Sequence, residues 1–98
     1  MTINKTRNGS ALTIALEGRL DTITAPELEE VLKKELEGTE SLTFDFEKLE
    51  YISSAGLRVL LSTQKIMNAR EGMKVTKVNE LVNEVFEVTG FSDILTIE

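Results

Sequence analysis

The chain reads as a single α/β domain: a mixed β-sheet with an N-terminal hairpin and helices packed against it, in the order ββαβαβαβ. Three observations carry this reading. Asn8-Gly9 is a strong hairpin signal between two short strand-like runs. Strand-like alternation and helix-like spacing of apolar residues then take turns along the rest of the chain, as strands joined by helical crossovers require. Ninety-eight residues with no linker, internal repeat or low-complexity tract suit one core, so residues 1–98 form one domain. The balance of 41% hydrophobic and 29% charged residues is that of a globular chain rather than a disordered one.

Ile3 to Arg7 is the first strand. Leu12, Ile14 and Leu16 alternate with Thr13, Ala15 and Glu17 in the second, and Gly18 ends that run. Thr24-Ala25-Pro26-Glu27 opens a helix. Thr24 is placed to cap it, Glu27 to complete a capping box, and Pro26 falls in the first turn, where its missing N–H costs nothing. Leu28, Val31, Leu32 and Leu36 share one face of this helix, and Gly38 ends it. Leu42 to Phe46 is the third strand. The second helix follows Ser53-Ser54, with Leu57, Leu60, Leu61 and Met67 on one face and Val59 and Ile66 widening the stripe, and Arg70-Glu71-Gly72 ends it. Met73 to Val78 is the fourth strand. Asn79 caps a third helix with Leu81, Val82, Val85 and Phe86 inward, Gly90 closes it, and Ile94 to Ile97 is a last short strand.

Composition excludes several functions. The chain has no cysteine and no histidine, which removes disulfides, cysteine zinc sites, thiolate nucleophiles and the usual base of a serine hydrolase. The G-x-S-x-G elbow, the GxxxxGK[ST] loop and GxGxxG are all absent, and Asp21, Asp45 and Asp93 are scattered rather than clustered. No metal, no cofactor and no catalysis by this chain alone are expected. Seventeen acids against eleven bases give a formal charge of −6, without the basic stripe that nucleic acid or an anionic membrane surface would need. No apolar run reaches the roughly 18–20 residues of a membrane span, and the opening residues do not read as a signal peptide. The expected location is the cytoplasm, and the expected partners are proteins or small molecules.

"YISSAGLRVLL", residues 51 to 61, places two hydroxyls at the mouth of the second helix. One of them can serve as an ordinary N-cap, its oxygen accepting a backbone N–H for typically ~1 kcal/mol. Ala55 and Gly56 nevertheless leave the helix start nearly bare of side chains, so that another protein's backbone could approach closely. On this reading alanine at Gly56 is tolerated by the fold. A serine held on such a helix start is also a good phosphate acceptor, because the helix N-terminus stabilises the added charge. Asp21 and Thr22 raise a similar question in "EGRLDTITAPELEEVL", between the second strand and the first helix. Asp21 can simply bond nearby backbone N–H groups while Thr24 caps. Alternatively Asp21 stands beside the Ser54 helix mouth, both at one end of the sheet.

Together, "LEGRLDTITAPELE", "LTFDFEKLEYISSAGLRVLL" and "VFEVTGFSDIL" resemble the STAS-domain family, and within it the bacterial anti-sigma-factor antagonists. The resemblance spans nearly the whole chain, and three phrases in the right order make it specific. The family pattern around the phosphoacceptor is Asp-Ser-Ser/Thr-Gly-Leu, matched here by Ser53-Ser54-Ala55-Gly56-Leu57, so the phosphorylated residue maps to Ser54. Two departures stand out. Ser53 replaces an aspartate found in many members, which also makes it a possible secondary acceptor, and Arg58 replaces a frequent glycine. Both bear on kinase choice more than on the fold.

The resemblance implies a partner switch. Unphosphorylated, the protein would bind an anti-sigma factor that is also a serine kinase with a GHKL-type ATP site, releasing a sigma factor. Phosphorylation of Ser54 would break that complex, and a PP2C-type phosphatase would restore it. The partner surface implied comprises Asp21, Thr22, Thr24, Ser53, Ser54, Ala55, Gly56 and Arg58. Two other readings are weighed against this one: a STAS module acting on a phosphatase, a cyclase or a lipid transporter, and a small-molecule or nucleotide-binding module, which would need a pocket of convergent polar groups.

Overall fold

A computed structural model of the chain describes residues 1–98. β1 (Thr2–Asn8) and β2 (Ala11–Leu20) form the hairpin, turning through Gly9-Ser10 with Gly9 at φ 65°. Asn8 remains in the strand opposite Ala11, so the turn lies one residue later than Asn8-Gly9 implied. β3 (Ser41–Ile52) pairs parallel with β2, and β4 (Gly72–Thr76) pairs parallel with β3, giving a sheet in the order β1-β2-β3-β4. α1 (Ala25–Glu35), α2 (Ser54–Met67) and α3 (Glu80–Thr89) complete the alternation.

One face of the sheet is covered. Leu12, Ile14, Leu16 and Leu20 of β2, Leu42, Phe44, Phe46, Leu49 and Ile52 of β3, and Met73 and Val75 of β4 are buried. They form one core with Leu28 and Leu32 of α1, Leu57, Leu60 and Met67 of α2, and Val82 and Phe86 of α3. The opposite face carries Thr13, Ala15, Thr43, Asp45, Lys74 and Thr76, which are exposed or half-buried. All three helices therefore serve a single sheet face.

Both central strands outrun the sequence expectation. β2 continues past Gly18, which takes φ 102° where the β2–β3 register shifts, a conformation that costs glycine little. β3 extends six residues beyond Phe46, to Ile52, because register shifts break its alternation without ending its pairing: the buried positions step from 46 to 49 to 52. β4 stops at Thr76 rather than Val78, since Lys77 adopts φ 58° and leaves the strand. Ile94 to Ile97 is not a strand. A short 3₁₀ turn, Phe91–Asp93, is followed by one bridge from Ile97 to Val75.

The helix faces match the sequence pattern in outline and depart from it at their margins. Leu81 and Ile66 are both exposed, while Thr63 and Gln64 are buried. Thr63 avoids a lost hydrogen bond by donating to the Val59 carbonyl at 2.8 Å, one turn back. Asn79 caps α3 as expected, its Oδ1 accepting from Val82 N–H at 2.8 Å, and its Nδ2 also donates to the Leu49 carbonyl at 2.7 Å, tying α3 to β3. Gly90 closes α3 in the left-handed conformation at φ 82°.

Candidate functional site

Leu20 and Ile52 are register partners at the ends of two parallel strands. The chain leaving each of them, Asp21–Thr24 toward α1 and Ser53-Ser54 toward α2, therefore emerges at the same end of the sheet. That carboxyl end is where open α/β sheets gather their functional loops. A backbone bond from Ser53 N–H to the Leu20 carbonyl, 2.9 Å, fastens the two exits together.

The capping at these exits differs from expectation. Thr24 has helical backbone angles and makes no side-chain cap bond to α1. Instead the reciprocal box sits one turn earlier. Asp21 Oδ1 accepts from the N–H groups of Ile23 (3.0 Å) and Thr24 (3.1 Å), while Thr24 Oγ1 accepts from Asp21 N–H at 2.8 Å. Thr24 Oγ1 also donates to the Arg19 carbonyl at 2.7 Å. Asp21 thus plays the N-cap and Thr24 the reaching-back residue three positions on, a role the sequence reading gave to Glu27. The Thr24 N–H, then the Ile23 N–H and the Thr24 hydroxyl, hold the Asp21 carboxyl below its ordinary pKa against partial desolvation, with the Arg19 guanidinium assisting. Arg19 lies over the Tyr51 ring at 4.4 Å from its centroid, with its Nε 3.8 Å from Asp21 Oδ2.

Ser53 takes the N-cap position of α2 in an extended conformation, φ −102° and ψ 177°, yet its side chain makes no cap bond. Its Oγ is buried without a hydrogen-bond partner. Ser54 is the first residue of α2 and is exposed. The ordinary capping role offered for these serines is thus filled by neither: the Ser53 hydroxyl is buried without bonding a helix amide, and Ser54 lies at the surface.

Gly56 overturns an expectation. It is buried, and a Cβ there would stand 2.7 Å from Leu20 Cγ and 2.8 Å from Ile52 Cγ1. Its smallness lets α2 sit against the two strand ends; it is not part of an open surface, and alanine would not be accommodated freely. The bare surface reduces to Ser54 and the half-buried Ala55.

Thr22, Pro26 and Glu29 from the α1 side and Ala55, Arg58 and Lys65 from α2 line a groove of about 360 Å³ that starts at the helix mouths. Arg58 and Thr22 are exposed there. Ile23, at 83% exposure, and the Arg19–Tyr51 pair escaped the sequence reading. An apolar β-branched residue inside the polar turn "DTIT" was the available signal for Ile23. A hollow of about 580 Å³, lined in part by Ser41, Asn68, Lys74 and Thr96, lies at the opposite, amino end of the strands. No helix is long and apolar enough to cross a membrane.

The STAS-domain family model matches residues 2–98. The chain is similar to the anti-sigma-B factor antagonist of Staphylococcus aureus, 29% identical over 99 residues that cover 99% of this chain and 92% of that protein. Among solved structures it resembles an anti-sigma factor antagonist from Mycobacterium paratuberculosis, with TM-score 0.88 and 21% identity over 98% of this chain and 83% of the other. It also resembles the phosphorylated form of the Bacillus cell fate determinant SpoIIAA, with TM-score 0.76 and 16% identity over 99% of this chain and 91% of that one. With a match from the first strand to the last residue, on the mixed sheet and one-sided helical layer described above, the chain belongs to the STAS-domain family.

Proposed function

We propose that this protein is an anti-sigma-factor antagonist that works in the cytoplasm as a partner switch. Its docking surface is the carboxyl end of the sheet: Asp21, Thr22 and Thr24 from one exit, Ser53, Ser54, Ala55 and Arg58 from the other. The observation that carries the reading is the exposed hydroxyl of Ser54, free of internal bonds, on the first residue of α2 and beside the Asp21 turn. The names of the curated relatives support antagonism of an anti-sigma factor, and SpoIIAA supplies a phosphorylated example on the same fold.

In this reading the partner is an anti-sigma factor with serine-kinase activity and a GHKL-type ATP site. The partner performs the chemistry, and this chain presents the acceptor. A phosphate on Ser54 adds about −1.5 to −2 charges at pH 7 to a surface that must close against the kinase. The helix N-terminus favours that charge, so the domain stays folded and the loss falls on the interface. A PP2C-type phosphatase reverses the modification.

Affinity capture from the native cell with wild type, Ser54→Ala and Ser54→Asp, read by mass spectrometry, tests this. A histidine-kinase-like ATPase should be retained by wild type and Ser54→Ala and depleted with Ser54→Asp. In the presence of ATP that partner should place one phosphate on Ser54 of the wild type. Phosphate on Ser53 alone would mean that the motif is shifted by one residue. Equal capture by all three forms, without phosphate, would sink the switch and leave an interaction module of another pathway.

A further inference from the structure

We propose that Arg58 is the intramolecular counterion of a phosphate on Ser54, so that modification withdraws a cation from the docking surface as well as adding an anion. The proposal rests on the reading of Ser54 as the modified residue. Ser54 and Arg58 are both exposed on α2 and stand one turn apart. Residues at this spacing have Cβ atoms roughly 5–6 Å from each other. Long helical side chains lean toward the helix N-terminus, which carries Arg58 back over the turn holding Ser54 and Ala55. Arg58 lines the α1–α2 groove together with Ala55 and Thr22.

Arg58 is also uncommitted. None of the ion pairs of the chain engages it. The other charges near the helix mouth are occupied or of the wrong sign. Arg19 is held between Tyr51 and Asp21, the Asp21 carboxylate accepts two backbone N–H groups, and Glu29 across the groove is an acid. Lys65 shares the groove but lies eleven residues beyond Ser54, about 16 Å along the axis at ~1.5 Å per residue, which exceeds a Debye length of roughly 8–10 Å.

Transfer forms the bond from Ser54 Oγ to the γ-phosphorus as the bond to the β–γ bridging oxygen breaks. The nucleoside diphosphate leaves with that electron pair, and the hydroxyl proton is released. The product presents oxygens that a planar guanidinium can grip with two parallel hydrogen bonds. Unphosphorylated, the same guanidinium is free for the partner. The Asp21 carboxylate repels the phosphate while Arg58 retains it, so the switch acts partly by redirecting Arg58.

The test installs phosphoserine at position 54 during synthesis and follows its second ionisation by ³¹P NMR at an ionic strength of about 0.1 M, where the Debye length is roughly 10 Å. In the Arg58→Ala background the midpoint should rise by roughly 0.15–0.4 pH unit relative to the Arg58 form, the size expected when the second ionisation adds one charge opposite a helical ion-pair partner. Arg58→Lys should stay below Arg58→Ala, and Lys65→Ala, which removes the same net charge, should move the midpoint by less than about 0.1 unit. Equal shifts from Arg58→Ala and Lys65→Ala, or no shift from either, would overturn the proposal. Because the phosphate is installed rather than transferred, this outcome is independent of whether a cognate kinase modifies Ser54, which the capture experiment decides separately.

Discussion

At the amino end of the parallel strands a connected set of polar side chains ties the helix ends together, although Gln64 Oε1 is buried there without a partner; at the mouth of α2, at the carboxyl end, no such set forms. Near the amino end, Arg7 Nη2 donates to the Glu35 carbonyl at 2.7 Å and to Thr39 Oγ1 at 2.9 Å, and the buried Thr39 hydroxyl donates to the Glu35 carbonyl at 2.6 Å. Arg70 Nη1 donates to the carbonyls of Leu36 and Thr39, joining the ends of α1 and α2. Lys5 pairs with Glu35 at 3.2 Å. These bonds satisfy the carbonyls that a helix C-terminus leaves open. At the other end, α2 begins without a side-chain cap, Ser54 and Arg58 face solvent, Ser53 Oγ has no partner, and Ile23 stands 83% exposed. A polar cluster that is internally satisfied holds the fold, whereas one left unsatisfied at the surface is available to something else.

The comparison breaks most sharply at Gly56, which lies beneath the open end but belongs to the core. Gly56→Ala should destabilise the domain, because overpacking of about 1–3 kcal/mol exceeds the ~1 kcal/mol that alanine gains in helix propensity. Gly56→Leu should not give a folded domain. Denaturant midpoints check both, and an unchanged midpoint for Gly56→Ala would show that Leu20 and Ile52 yield freely. Next in size, Arg70→Met should cost about 1–3 kcal/mol by stranding the Thr39 carbonyl and leaving the Leu36 carbonyl with the Thr39 N–H alone, while Arg58→Met, at the open end, should change stability by less than ~0.5 kcal/mol. Comparable losses from the two would erase the distinction between the ends.

Thr24→Ala sharpens the comparison within the open end, since the Asp21–Thr24 box is internally satisfied there. The expected loss is about 0.5–2 kcal/mol, and Thr24→Ser, which keeps the hydroxyl, should recover most of it. The smallest effect is in acid. The carboxyls of Asp21 and Glu35 are both held below their ordinary pKa, Asp21 by backbone N–H groups and Glu35 by Lys5 and then Arg7. A carboxyl with a depressed folded-state pKa contributes stability that is present above the unfolded value, roughly 4, and lost as pH falls through the folded one. Asp21→Asn and Glu35→Gln should each flatten the loss of stability below about pH 4, by a modest amount because both groups sit near solvent. Urea midpoints at a series of pH values would show it, and parallel curves for wild type and variant would contradict it.

Much of this was legible in the sequence. The order of elements through the third helix, the Asn79 cap and the Gly90 stop follow from local chemistry, and each is realised with the expected partner or conformation. The ends of β2 and β3 were not legible, because register shifts interrupt a period of two without interrupting the pairing. The capping box was misplaced by one turn, since Thr24 fits both ends of the motif and only the turn geometry selects Asp21 as its partner. Gly56 misled for a similar reason. A glycine near a helix start reads as openness, and only the packing of α2 on Leu20 and Ile52 reveals a close approach. The juxtaposition of the Asp21 and Ser54 exits could be anticipated from parallel strands, but the register that fixes it is tertiary.

The division between a structural end and the proposed recognition end is tested most directly by an amide chemical-shift map of the labelled domain during titration with the proposed anti-sigma partner. Perturbation should concentrate at Asp21–Ala25 and Ser53–Arg58, should spare Thr39, Glu71 and Lys74, and should vanish when Ser54 carries phosphate. Perturbation centred on the amino end, or a map unchanged by phosphate on Ser54, would contradict the account.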